Sequence, residues 1–254
     1  MSVVRTWRKS VLDYWQSSKH PFYALLSVFP VLLFYELIAL TLNQQQQIGI
    51  RNAADVIIKN IIIKQLMETV GIHGLFAYGL IVLVVLGILF WQRYRNKNLS
   101  FQPTYFVIMF IESLVYAVFL GPLVGYFTNL LQHFMPLTHI IDQLSLTHKV
   151  MLSLGAGFYE ELVFRVILLS GSVFLLVKFL NLSRSAALVM ASLFSSVVFS
   201  AFHYLGPFGE PFQIYSFVFR FLAGIIFAIL YILRGFGIAV YTHTLYDLLI
   251  IMYQ

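Results

Sequence analysis

Gly157-Phe158-Tyr159-Glu160-Glu161-Leu162-Val163-Phe164-Arg165 places two adjacent carboxylates and a guanidinium inside an apolar run long enough to cross a bilayer. Ionised groups are expensive at membrane depth, so a helix keeps them for a partner or a function. In an α-helix Glu161 and Arg165 lie four residues apart on one face, acid first, which is the favourable order. Glu160 then points about 100° away and has no partner in its own turn. The Glu161–Arg165 pair alone reads equally well as a structural ion pair. The solitary Glu160 turns the reading toward function.

The rest of the chain fits that setting. Of its 254 residues 60% are hydrophobic and only 10% charged, with a mean hydropathy of +0.87. A soluble domain cannot hide so much apolar surface, so the expected fold is an all-α polytopic transmembrane bundle. Cysteine is absent, which excludes disulfides, thiol catalysis and cysteine-ligated metals. The formal charge of +6 comes from basic residues scattered near span ends, where they set orientation. It does not point to nucleic acid.

In order, the chain gives a polar start (Met1–His20) and a first span, Pro21–Leu42, with Glu36 close enough to its end to reach the interface. Ile48–Leu66 carries Arg51, Asp55, Lys59 and Lys64 among isoleucines at near-helical spacing, which predicts an amphipathic interfacial helix. Further spans follow at about Ile72–Trp91, Pro103–Leu131 (with Glu112), Val150–Leu180, Ser185–Leu205, Phe212–Leu233 and Phe236 to the end. That is seven, or eight if a long segment hides another. His133, His139, Asp142 and His148 read as solvated loop residues. Residues 1–149 form an N-terminal membrane region and 150–254 a catalytic core. With the N-terminus inside, Lys and Arg near span ends number 10 on the inner side and 4 on the outer. The N-terminus is therefore expected in the cytoplasm, and the membrane is read as a bacterial inner membrane.

The last four spans gather Glu160, Glu161, Arg165, His203, Arg220, His243 and Asp247. His243 and Asp247 share a helix face, as do Phe199 and His203, whose rings can pack together. Singly, each has an ordinary reading: an interfacial histidine, a His–Asp pair, an arginine that snorkels or finds an acid. Together they are costly to bury as ballast, and the chemistry they support is hydrolysis. A glutamate shielded from water can act as general base, one histidine can hold the water, and another with an acid can stabilise an oxyanion. Glu160, His203 and His243 could instead ligate zinc. The sequence leaves these two mechanisms open.

Glu160-Glu161-x-x-x-Arg165, Phe199-x-x-x-His203 and His243-x-x-x-Asp247, in this order on successive apolar segments, resemble the three motifs of the CAAX-protease and bacteriocin-processing family of intramembrane endopeptidases. The resemblance covers about residues 150–253. It implies that Glu160 and His203 activate water, that His243 and Asp247 line the oxyanion site, and that Glu161 and Arg165, with Phe199 and Arg220, support them. Asp247 stands where the family often has Asn. His20-Pro21-Phe22-Tyr23, Phe34-Tyr35-Glu36 and Arg51-Asn52-Ala53-Ala54-Asp55 resemble a bacterial, myxosortase-like branch that processes C-terminal sorting tails of exported proteins. The implied partners are a membrane-anchored protein or peptide substrate and the lipid bilayer. No oligomeric state is implied.

Counting along the helices puts Glu160 roughly 15 Å below the outer end of its span, His203 close to that end and His243 roughly 20 Å below it. These depths disagree by several turns, although their centre lies toward the outer half. A catalytically silent scaffold or immunity protein, and a proton-coupled transporter, are the competing readings. No internal repeat favours the transporter.

Overall fold

The computed structural model describes residues 2–45, 52–56, 88, 91, 95, 101–129, 145–205 and 209–253. Every element among them is a helix: α1 (Ser2–Lys19), α2 (Pro21–Gln45), α3 (Ala53–Val56), α4 (Thr104–Asn129), α5 (Leu146–Leu180), α6 (Arg184–Phe202), α7 (Ile214–Arg234) and α8 (Phe236–Tyr253). Within α2, α4, α5, α6 and α7 lie stretches long and apolar enough to span a membrane, and α8 is a shorter apolar helix. Bulky apolar side chains such as Phe119, Phe174, Phe179, Val189 and Phe194 point outward. With no water to compete for backbone groups in a bilayer, helices are the natural way to satisfy them. The chain is an integral membrane protein. Six of the seven expected spans coincide with these helices. The other, Ile72–Trp91, lies outside the described residues apart from helical positions Ile88 and Trp91.

The polar start is itself a helix, α1, held to the bundle by a buried arginine. Arg234, at the end of α7, donates to both carboxylate oxygens of Glu112 on α4 (2.5 and 2.7 Å) and to Ser18 Oγ (3.1 Å). Its guanidinium lies 3.7 Å from the Trp15 ring centroid. The planar fork both stacks and bonds in two places, which a lysine could not do.

Two turns fix the C-terminal half. After α5, Asn181 adopts a left-handed conformation (φ +50°) and the Leu182 N–H returns to the Leu176 carbonyl. The Asn181 N–H reaches the same carbonyl, and the left-handed residue ends the helix, a conformation Asn tolerates. Ser183 then caps α6, its Oγ accepting from Ala186 N. Between α7 and α8, Gly235 has φ +84° and its missing Cβ would sit 3.3 Å from Lys19 Cα, so both conformation and space call for glycine.

Three expectations change. Asn52, Ala54 and Asp55, at the start of the proposed surface helix, are buried against the bundle. Asp55 accepts a 2.6 Å bond from Tyr35 of α2, so a core partner replaces the interface. The rest of that segment lies outside the described residues, as do His133, His139 and Asp142. His148 is no solvated loop residue: it is buried in the first turn of α5, bonded through Nδ1 to the capping Ser145 (2.7 Å). Glu36 accepts from Tyr159 of α5 (2.6 Å).

Candidate active site

α5 is not a regular α-helix where it matters. Ala156–Glu160 and Leu162–Leu169 are π-helical, and the Ser170 N–H reaches back five residues to the Arg165 carbonyl. Such turns are wider and occur disproportionately at functional sites. A wider turn sets successive residues less than about 100° apart, and here neighbouring glutamates reach the same partner. Both are buried, and both address the same ring: Glu161 Oε1 lies 3.0 Å from His243 Nδ1 and Glu160 Oε2 4.0 Å from His243 Nε2.

The close crossing of α8 makes this possible. A Cβ on Gly157 would fall 1.9 Å from Thr244 Oγ1 and 2.9 Å from Thr244 N and the Val240 carbonyl. The last two are backbone atoms that cannot swing aside. Gly157→Ala is therefore expected to push α8 away from α5, separating His243 from both glutamates. The variant should melt several degrees lower in detergent, as overpacking by about 1–3 kcal/mol predicts. Unchanged melting would show that the two helices can part without cost.

His203 arrives from the end of α6. Its Nδ1 lies 2.9 Å from the Phe199 carbonyl, an acceptor, so Nδ1 carries the proton and Nε2 is the free nitrogen. Nε2 stands 4.0 Å from Glu160 Oε2. The Phe199 ring packs edge-on against His203 (5.1 Å), as the spacing predicts. By the same logic Glu161 fixes the proton on Nδ1 of His243 and turns its Nε2 toward Glu160 and toward Asp247 Oδ2 (3.8 Å). Phe227 stacks on this imidazole at 4.4 Å.

Arg165 is fully buried, its Nε 3.4 Å from Glu161 Oε2. It lies over the faces of Phe199 (4.9 Å) and Phe227 (5.9 Å). None of its guanidinium nitrogens has a hydrogen-bond partner among the described residues. Charge and ring faces hold it, not hydrogen bonds. Arg220 is drawn to Glu210, with two bonds of 2.7 and 2.8 Å, and to Ser216 Oγ (2.8 Å). Because the Glu210 N–H donates to the His203 carbonyl (3.0 Å), Arg220 steadies the turn that carries His203.

Glu160, Glu161, Arg165, His203, His243 and Asp247 thus lie near one point, with Phe199 beside them and Arg220 behind the turn of His203. The depth conflict also disappears. Ser170 Oγ meets Tyr231 OH at 2.9 Å, so the α7–α8 turn, one helical turn beyond Tyr231, falls short of the end of α5. His243 then comes level with Glu160. Glu160 and His203, each on one arm of the α5–α6 hairpin, lie about equally far from its turn.

Two residues were not foreseen in these roles, Glu210 and Asn52. Asn52 Nδ2 donates to Glu160 Oε1 at 2.8 Å, from 108 residues away. Glu210 lies in Gly209-Glu210-Pro211, a turn with no periodicity to mark it.

Among the described residues no three histidine or acidic side chains stand as a metal site. A zinc ion about 2.1 Å from each donor holds tetrahedral ligands roughly 3.4 Å apart, whereas Glu160 Oε2 is 4.0 Å from each Nε2. As they stand, Glu160, His203 and His243 do not fit zinc, and no step below is routed through a metal.

Two glutamates and two histidines from three helices therefore meet at one point of a helical membrane bundle. Residues 142–249 match the family described as type II CAAX prenyl endopeptidase Rce1-like. That stretch, which carries all three motifs, is similar to CAAX-type membrane endopeptidases. Comparisons with curated proteins and with solved structures gave no match.

Proposed function

We propose that the protein hydrolyses a peptide bond close to the membrane-anchored C-terminal tail of an exported protein, with Glu160 as general base. The observation that carries this is the placing of Glu160 Oε2, 4.0 Å from Nε2 of both His203 and His243. Two atoms 4.0 Å apart leave room for one water oxygen at about 2.8 Å from each. That water lies between Glu160 and His203.

Glu160 Oε2 takes one proton as the water oxygen attacks the scissile carbonyl carbon. The carbonyl electron pair moves onto oxygen, and Nε2–H of His243, in its imidazolium form, donates to the oxyanion. Glu161, on Nδ1, and Asp247, near Nε2, offset the charge of that imidazolium. Asp247 then acts through His243 and does not face the oxyanion alone. Collapse re-forms the carbonyl, breaks the C–N bond and passes the proton from Glu160 to the leaving amine. Glu160 returns to its starting state, and the products are a carboxyl end and an amine.

The excess of basic residues on the inner side supports a cytoplasmic N-terminus in a bacterial inner membrane, with the site toward the outer half. Such a site suits exported substrates better than cytosolic ones. The test compares, by mass spectrometry, C-terminal ends of exported membrane-anchored proteins in cells carrying the wild type or Glu160→Gln at equal levels. Tails trimmed only by the wild type are expected. Identical tails would return the weight to a silent binding scaffold. A zinc chelator added to wild-type membranes is expected to leave trimming unchanged.

A further inference from the structure

We infer that Asn52 is a positioning residue for the general base, so that the catalytic centre is completed by a segment outside the Rce1-like domain. The inference rests on the hydrolytic reading above and adds to it a residue that lies ninety positions before the matched stretch begins at 142.

Asn52 is fixed at both ends of its amide. Its Oδ1 accepts from Ala54 N at 2.9 Å, the bond of an N-cap opening α3. With the oxygen so engaged, the amide nitrogen must be the end that faces Glu160, and its bond to Oε1 is 2.8 Å. The two oxygens of Glu160 therefore have separate tasks. Oε1 is held by Asn52, and Oε2 looks toward His203 and His243. A glutamate has three side-chain torsions, and the last of these is broad. A donor on Oε1 fixes that torsion and keeps Oε2 aimed at the water.

The segment that brings Asn52 is itself anchored to α5. Tyr35 of α2 donates to Asp55 (2.6 Å) and packs edge-on against Tyr159 (5.4 Å), which in turn donates to Glu36 (2.6 Å). At Gly155 an added Cβ would come within 2.5 Å of the Tyr35 ring and 3.1 Å of Asn52 Cβ. The bare glycine lets α2 and α3 lie directly on the helix one turn before Glu160. Asn52 is buried, so water does not substitute for its donor.

Asn52→Asp tests this in the full-length chain, because it keeps the shape and the capping oxygen but removes the N–H donor. Ser183→Ala is the control, since it removes the cap of α6 at the end of that helix remote from His203 and touches neither Asn52 nor Glu160. The assay follows cleavage of a quenched peptide spanning the tail trimmed in cells, with Glu160→Gln as the blank, and thermal melting in detergent beside it. Asn52→Asp and Asn52→Ala are expected to lower kcat roughly 10- to 100-fold with KM unchanged. Ser183→Ala is expected to lower the melting temperature with kcat unchanged. Wild-type kcat in Asn52→Asp would overturn the inference while leaving the hydrolytic reading intact. So would activity lost only in proportion to folded protein. Equal cleavage by wild type and Glu160→Gln would overturn both, since no general base would remain to be positioned.

Discussion

Glu160→Gln is expected to lower cleavage by about 10²- to 10⁴-fold, the range a positioned general base supplies, while the protein stays inserted and folded. Glutamine has the same shape and keeps a carbonyl oxygen that can accept from Asn52 Nδ2. It cannot take a proton from water. The ion contact that carries structural weight, Glu161 with Arg165 at 3.4 Å, is untouched. Activity and stability should therefore separate: cleavage kinetics collapse while the melting curve in detergent overlays the wild type. His203→Ala should lose activity for the related reason that the water has no second hold. Full activity in both variants would end the proposed mechanism.

Arg165→Ala is expected to do the reverse first, destabilising the bundle by about 3–5 kcal/mol, the usual cost of breaking a buried ion pair from one side. Glu161 and Arg165 are both fully buried, so the carboxylate left behind has neither water nor a counter-ion beyond the imidazole of His243. The cavity also strips Phe199 and Phe227 of the cation between them, and these rings flank His203 and His243. Glu161→Gln added to Arg165→Ala should recover part of the loss, because the orphaned charge goes with it. Melting of the two singles and the double gives the coupling. Additive losses would mean that the pair does not act as a unit.

The membrane architecture was legible because spans are read from hydropathy alone, and six of them stand as helices. The site was legible for a related reason: polar groups are so costly at membrane depth that Glu160, Glu161, Arg165, His203, His243 and Asp247 mark themselves. What α-helical arithmetic could not supply was the direction of Glu160. It assumes about 100° per residue, and the π-helical turns of α5 spread the same residues differently. Depth counting failed because it set every turn in one plane. Asn52 was visible only as part of a resemblance, since nothing local in Arg51-Asn52-Ala53-Ala54-Asp55 tells of a glutamate 108 residues on. Arg234 counted as a free charge at a span end, whereas Glu112, on a distant helix, claims it.

The unequal depth of the two turns carries a further consequence for the lipid around the protein. Tyr231 is level with Ser170; α7 ends three residues on, at Arg234, whereas the α5 arm of the hairpin runs on for ten, to Leu180, a difference of about 10 Å of helix. Phe174, Leu175, Phe179 and Leu180 on that extension are exposed and apolar, so acyl chains must follow it down. The neighbouring α7–α8 corner stops short, and acyl chains there meet the Lys19 and Gly235 backbone instead of a helix face. The same leaflet is thus asked to be thick on one flank and thin on the other. Mismatch of this kind costs fractions of a kcal/mol per Å, which makes the bilayer's thickness a variable in the stability of the fold.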